Sequence, residues 1–358
     1  MPRARPDADT LARVVLDRYV RLRPGEPVTV ETWSHGLPWA RALLVEARRR
    51  GAPSRLVLED EPAFFRALGS GGGASIAPPG PERGVHLYLP GPEAFPRLLG
   101  LPARELDALV TRHDRSWWSD ARRRRTRAFR LAVGEATPSA AERFGVDRAM
   151  WEAELIGAST VDPARLARAA TGLRRRLGRG RRLRIRHPNG TELLAVRDPR
   201  GTFADLGQSD PGTGLVWARL PAGLLVLPLR RGLTEGTWEA NRPSYDRYAQ
   251  PPLALGGRFT LRAGRLAEFA FDRGGEPFAA AQARLGRGRV RAVALTVGLN
   301  PAISMAPELQ ELAEGTVGLL LGESPYHPHR ARPRFAYLTP LADAEIDVEG
   351  RPWLRPGR

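Results

Sequence analysis

Cysteine is absent from the 358-residue chain, which excludes disulfides and thiolate metal sites. Lysine is absent as well, so all 56 basic residues are arginine. No apolar run approaches the ~20 residues that a bilayer-spanning helix needs. The opening Met1-Pro2-Arg3-Ala4-Arg5-Pro6-Asp7 lacks the apolar stretch of a secretory signal. No Gly-x-Gly-x-x-Gly follows the first strand-like segment, which argues against dinucleotide binding. These absences lead to the expectation of a cytoplasmic chain with no membrane role.

What is present is dominated by arginine. The formal net charge is +17. A charge of that sign usually points to nucleic acid. However, the abundance of Arg, Ala, Gly and Pro without Lys is the imprint of a GC-rich genome, which scatters arginine everywhere. Two blocks stand out from the scatter. One is Arg122 to Arg125, and the other is Arg174-Arg175-Arg176 with Arg179, Arg181 and Arg182. The simpler reading is solvated surface, and an Arg-driven nucleic-acid or polyanion binder is the alternative. The 33 prolines and 3 methionines also suit a heat-adapted protein.

The length favours two domains. Through the first half, strands alternate with helices. Helices are expected over 6–23, 37–50, 62–68 and 139–156, and strands over 27–32, 54–59, 85–89 and 127–133. A surface loop is expected over 69–84, and a long helical region through Trp117 and Trp118. The alternation implies parallel crossovers and an open parallel sheet. Asp162-Pro163 opens a further helix that runs to the stop at Gly178. From Arg181 the pattern changes to short strands and turns. These include 182–186, a hairpin signal at Pro188-Asn189-Gly190, and strands over 215–229, 258–261, 267–272 and 290–297, with one helix over 277–285. The expected fold class is an α/β N-terminal domain with an open parallel sheet (1–178), followed by a β-rich α+β C-terminal domain (179–358).

The C-terminal half carries Val297-Gly298-Leu299-Asn300-Pro301, then Glu314-Gly315-Thr316-Val317-Gly318, then Arg334-Phe335-Ala336-Tyr337-Leu338. Earlier come Pro24-Gly25-Glu26 before the first strand, Asn189-Gly190-Thr191-Glu192-Leu193, and Leu220-Pro221-Ala222-Gly223. In order and spacing over nearly the whole chain, these segments resemble the thermophilic metallo-aminopeptidase family, of the aminopeptidase T and S type. The resemblance implies a C-terminal domain with two adjacent metal ions, zinc or cobalt, held by two Glu, two His and an Asp. It also implies a homodimer. Carried over position by position, those ligands fall on Leu224, Ala294, Gly318, Phe335 and Tyr337. The resemblance thus implies a scaffold whose metal ligands have been lost. If so, the five side chains should line one apolar pocket.

Other candidates are weaker. Glu323, His327 and His329 are the fallback metal ligands, although His327-Pro328-His329 reads more simply as a solvated loop. Glu311 and Glu314 read as solvated helix-surface carboxylates. Ser34-His35 follows the first strand, where open α/β sheets bind ligands. It reads as a helix-entry turn rather than a nucleophile pair. Trp117-Trp118 beside an Arg block could stack on bases, but core packing explains it as well. The expectation is therefore an aminopeptidase-like protein with no catalytic, cofactor-binding or metal residues, acting in an architectural or regulatory role. Zinc or cobalt enters only if the ligands lie elsewhere, in an active hydrolase. The expected partners are a second copy of the chain and a peptide or protein, rather than nucleic acid.

Overall fold

The computed structural model describes residues 7–69, 82–94, 117, 120–209, 217–246, 253–286, 289–304, 306–323 and 335–356. The chain forms two compact units. One comprises Met1–Pro163 with Gly207–Ala222, the other Ala164–Leu206 with Gly223–Arg358. Among the described residues no helix is long and apolar enough to cross a membrane.

The first unit is built on a five-stranded parallel sheet. Its strands are β1 (Val28–Trp33), β2 (Ser54–Glu59), β3 (Val85–Tyr88), β4 (Arg127–Leu131) and β8 (Trp217–Leu220), in the order β2-β1-β3-β4-β8. Helices α1 (Ala8–Val14) and α2 (Leu37–Arg49) supply buried Leu11, Ala40, Leu43 and Ala47 to its main core. Val28, Val30, Leu87, Phe129 and Leu131 supply the sheet side of that core. Alternation along the strands turns Thr29, Glu31 and His86 to the opposite face. Helix α3 (Glu61–Gly69) follows β2, and α4 (Pro138–Phe144) and α5 (Arg148–Ser159) follow β4.

The helix expected over 6–23 is shorter. After α1 it widens into a π-helical turn, Val15–Tyr19, closed by the Val20 amide on the Val15 carbonyl at 2.9 Å. The helix expected over 139–156 is two helices. Gly145 stops the first in the left-handed region (φ 65°), and the Asp147 side chain caps the second by accepting the Met150 amide. The expected loop at 69–84 and the helical region before Trp117 lie mostly outside the described residues.

The second unit opens with α6 (Pro163–Leu177) and is otherwise β-rich. Its strands are β5 (Arg182–Arg186), β6 (Glu192–Arg197), β7 (Phe203–Asp205), β9 (Leu224–Glu239), β10 (Tyr245–Asp246), β11 (Arg258–Arg262), β12 (Arg265–Ala270), β13 (Ala292–Gly298), β14 (Val317–Gly322), β15 (Ala336–Leu341), β16 (Glu345–Val348) and β17 (Arg351–Leu354). Helix α7 (Glu276–Leu285) interrupts them. Twelve strands join one antiparallel sheet, whose main path runs β10-β15-β14-β13-β9-β6-β5-β16-β17. The 16-residue β9 links its two halves, pairing with β13 through Leu224–Pro228 and with β6 and β11 through its C-terminal end.

The observed fold class is the expected one, an α/β unit and a β-rich unit. The boundary at 178/179 is corrected. Helix α6 belongs to the β-rich unit, while β8 returns to complete the parallel sheet. The strand expected over 215–229 is in fact β8 and β9, which belong to different sheets. Pro221 has no amide to donate to a ladder, and Gly223 adopts φ 122°.

Candidate functional site

The register of three strands decides where the key positions of the second unit lie. Thr296 on β13 pairs with Gly318 on β14 and with Val226 on β9. Ala294 pairs with Leu320 and Pro228, and Gly298 pairs with Leu224. Directly opposed residues project to the same side of a sheet, as do alternate residues along a strand. Leu224, Ala294 and Gly318 therefore share one face, with Thr296 among them.

That face is closely packed. A Cβ on Gly318 would meet Thr296 Oγ1 at 2.4 Å and Leu338 Cδ1 at 3.1 Å. A Cβ on Gly298 would meet the Ala313 and Glu311 carbonyl oxygens at 1.9 and 2.7 Å, so the short helical turn Gln310–Leu312 lies against this face. Glu311 in that turn is buried, with no exposed surface. Tyr245 on β10 reaches it, and the phenol donates to Glu311 Oε2 at 2.5 Å. Tyr245 pairs with Leu338, and Leu338 with Leu320, which puts Tyr245 on the same face as Ala294. The expectation of a solvated Glu311 is thus corrected. Glu314 is the exposed carboxylate of the two, 3.9 Å from an Arg165 guanidinium.

Phe335 and Tyr337 lie elsewhere. Tyr337 pairs with Leu321, one residue out of phase with Leu320, and so projects from the opposite face. Its ring stacks on Phe335 at 5.9 Å and packs on Phe278 at 4.6 Å, within a cluster that includes Phe259, Phe269 and Phe271. The five positions therefore divide between two faces instead of lining one pocket. The reason is the period of two along β15, which the loop before it sets in phase.

The residues at these positions do not fit a dinuclear metal. Leu224, Ala294 and Gly318 have no side-chain lone pair, and the space a ligand at Gly318 would enter holds Thr296 and Leu338. Among the described residues no three His, Asp or Glu side chains come together as a metal-holding group. Of the fallback ligands, Glu323 is exposed just after β14, and its amide bonds the Phe335 carbonyl at 2.9 Å. His327 and His329 lie outside the described residues.

The parallel sheet of the first unit has its own buried polar face, which the sequence reading missed. Glu31 and His86, both buried, meet at 3.0 Å between Oε2 and Nε2 on neighbouring strands. The edge of Trp117 packs on His86 and on Trp217, which favours core packing for Trp117; Trp118 lies outside the described residues. Arg130 lies over the Tyr88 ring, and burial pushes the Tyr88 phenol up to about 12. Glu135 is buried between Arg130 at 2.9 Å and Arg219 at 3.0 Å. Burial alone would raise its carboxyl, but Arg219 and Arg130 hold it below the usual carboxylate range. The signal was present in sequence. Thr29-x-Glu31 and His86-x-Tyr88 put polar residues at alternate positions of otherwise apolar strands.

Ser34-His35 forms a 3-10 turn that leads into α2, as expected. His35 Nε2 lies 3.1 Å from the Pro90 carbonyl and 3.0 Å from that of Gly134. Carbonyls only accept, so this nitrogen carries the proton and ties two loops at the strand ends. Nδ1 is buried without a partner, which leaves the ring no role as a base toward Ser34.

This geometry sits within an aminopeptidase-like fold. AmpT of Thermus thermophilus, an aminopeptidase T, is similar over 98% of this chain and 98% of its own, with a TM-score of 0.69 and 17% identity. A 2,5-dihydroxypyridine dioxygenase from Pseudomonas putida KT2440 is similar over 98% of this chain and 95% of its own, with a TM-score of 0.58 and 14% identity. No protein-family model matches the chain, and no curated protein sequence matches it.

Proposed function

We propose that this chain is an aminopeptidase-like protein without the dinuclear metal centre, serving a non-catalytic architectural or regulatory role. One observation carries the reading. Leu224, Ala294 and Gly318, which the resemblance equates with three metal ligands, share a sheet face that is packed with aliphatic side chains and Thr296. An unpaired buried carboxylate would cost several kcal/mol there, so loss of the metal favours loss of its ligands together. Similarity to both an aminopeptidase and a dioxygenase fits a fold whose chemistry is decided at the site. The resemblance further supports a homodimer, and the reading includes a cytoplasmic location and a peptide or protein partner. Light scattering should give twice the chain mass.

The test is hydrolysis of leucyl and arginyl p-nitroanilides by the full chain with added zinc or cobalt. The expected result is no release above buffer. Release abolished by a chelator would overturn the proposal in favour of a hydrolase with relocated ligands, Glu323, His327 and His329 first among them.

A further inference from the structure

The second arginine block lines a half-open recess in the structure. A cavity of about 290 Å³ lies within the β-rich unit at the C-terminal end of α6, lined by Arg174, Arg179, Arg181, Arg197 and Thr202, with no acidic residue in its wall. Gly178, in the left-handed region at φ 54°, turns the chain out of α6 so that Arg174 and Arg179 face one space. Backbone pairing of the Arg197 amide with the Arg181 carbonyl at 2.9 Å brings the last two arginines beside it.

Arg197 forms the floor. Only 2% of its surface is exposed. Its Nε donates to the Gly180 carbonyl at 2.5 Å, its Nη2 to the Gly178 carbonyl at 2.6 Å and its Nη1 to Thr202 Oγ1 at 3.3 Å. A guanidinium has five N–H donors, so two remain after these three. None of the four guanidinium groups is ion-paired with a carboxylate among the described residues. The two nearby acids are engaged with backbone. Glu349 Oε1 accepts the Arg181 and Arg182 amides at 2.8 and 3.0 Å, and Asp198 accepts the Arg200 amide at 3.1 Å. Burial and the Arg181 charge draw the Arg197 guanidinium below its ordinary value, with Asp198 acting the other way.

Cations at a helix C-terminus gain from the helix dipole, about 0.3–1 kcal/mol each. That gain accounts for arginines in the last turn of α6. It does not account for Arg179 and Arg181, which lie beyond the helix and crowd further like charge around a buried guanidinium. An anion in the cavity would offset that repulsion. Planar guanidinium forks match the oxygens of a phosphate group in pairs.

We infer that this cavity is a binding site for the phosphate group of a small phosphorylated molecule, with Arg174, Arg179 and Arg181 contacting the oxygens and Arg197 positioning them from below. Four arginines line one small volume, which suits a compact anion. A nucleic-acid backbone would call for charge laid out along a track. The inference is independent of whether the chain binds metal.

Titration calorimetry of the full chain with inorganic pyrophosphate at fixed ionic strength tests it. One saturable site per chain is expected. The variant Arg179→Gln/Arg181→Gln should bind at least tenfold more weakly. Arg175→Gln/Arg176→Gln, which removes the same charge outside the cavity wall, should bind as the parent does. Equal weakening in both variants would show an effect of net charge alone and overturn the proposal, as would the absence of saturable binding. A labelled oligo-dT in a second arm distinguishes the phosphate source. Displacement by pyrophosphate, with loss only in Arg179→Gln/Arg181→Gln, would keep the site and assign it to a nucleic-acid backbone. Oligonucleotide binding insensitive to pyrophosphate and lost in Arg175→Gln/Arg176→Gln would refute the cavity.

Discussion

Gly318 and Thr296 stand opposite each other on β14 and β13, and a Cβ on Gly318 would lie 2.4 Å from the Thr296 hydroxyl. No L-residue with a side chain fits there without movement of Thr296. The consequence is mechanical as well as chemical. A histidine side chain would need Thr296 and Leu338 to give way at this position.

Gly318→Ala should therefore destabilise the chain by about 1–3 kcal/mol, the cost of overpacking a buried site. Adding Thr296→Ala should recover part of that loss, because it removes the atom in conflict. Urea denaturation of the single and double variants measures both. A single variant as stable as the parent would contradict the packing described for this face.

Tyr245→Phe removes the hydroxyl that donates to the buried Glu311 carboxyl. The bond ties β10, at the end of the sheet path, to the turn that covers the face. A loss of about 0.5–1.5 kcal/mol is expected, the net contribution of an intramolecular hydrogen bond. A change below about 0.5 kcal/mol, the scale of an ordinary surface substitution, would show that the pair does not anchor that turn.

Glu135 predicts a dependence on pH. Its carboxyl is held below the usual range in the fold, so its contribution is present above the unfolded value and fades as pH falls through the lower folded value. Glu135→Gln should cost about 3–5 kcal/mol at pH 7, where one partner of a buried ion group is lost. The difference between variant and parent should shrink as pH falls below the ordinary carboxylate value, because the parent then carries a neutral group too. A difference constant from pH 7 to pH 3 would mean that the ionised carboxylate is not what stabilises the cluster.

Much of the fold is legible in the sequence where local signals agree. Ser54–Glu59 and Arg182–Arg186 fall where the pattern puts them, and Leu37–Arg49 differs from it by one residue. The errors lie where one apolar run serves two ends. The stretch from 215 to 229 has no change of period to show that its halves enter different sheets. Only Pro221 and Gly223 mark the break. The site was legible in part. Leu224, Ala294 and Gly318 share a face because strand register aligns them, and that register is fixed by contacts far apart in sequence. Phe335 and Tyr337 fall on the other face through the phase of β15. Glu311 reads as a surface carboxylate because nothing local announces its partner Tyr245, 66 residues away.

The proposed role requires that this aminopeptidase-like scaffold hold no dinuclear metal. The most direct measurement is elemental analysis of the full chain after equilibration with zinc or cobalt and removal of free ion. Only trace metal is expected, well below one ion per chain, with no change in thermal stability on adding a chelator. One or two tightly held ions per chain, with a melting temperature that falls when they are stripped, would contradict it.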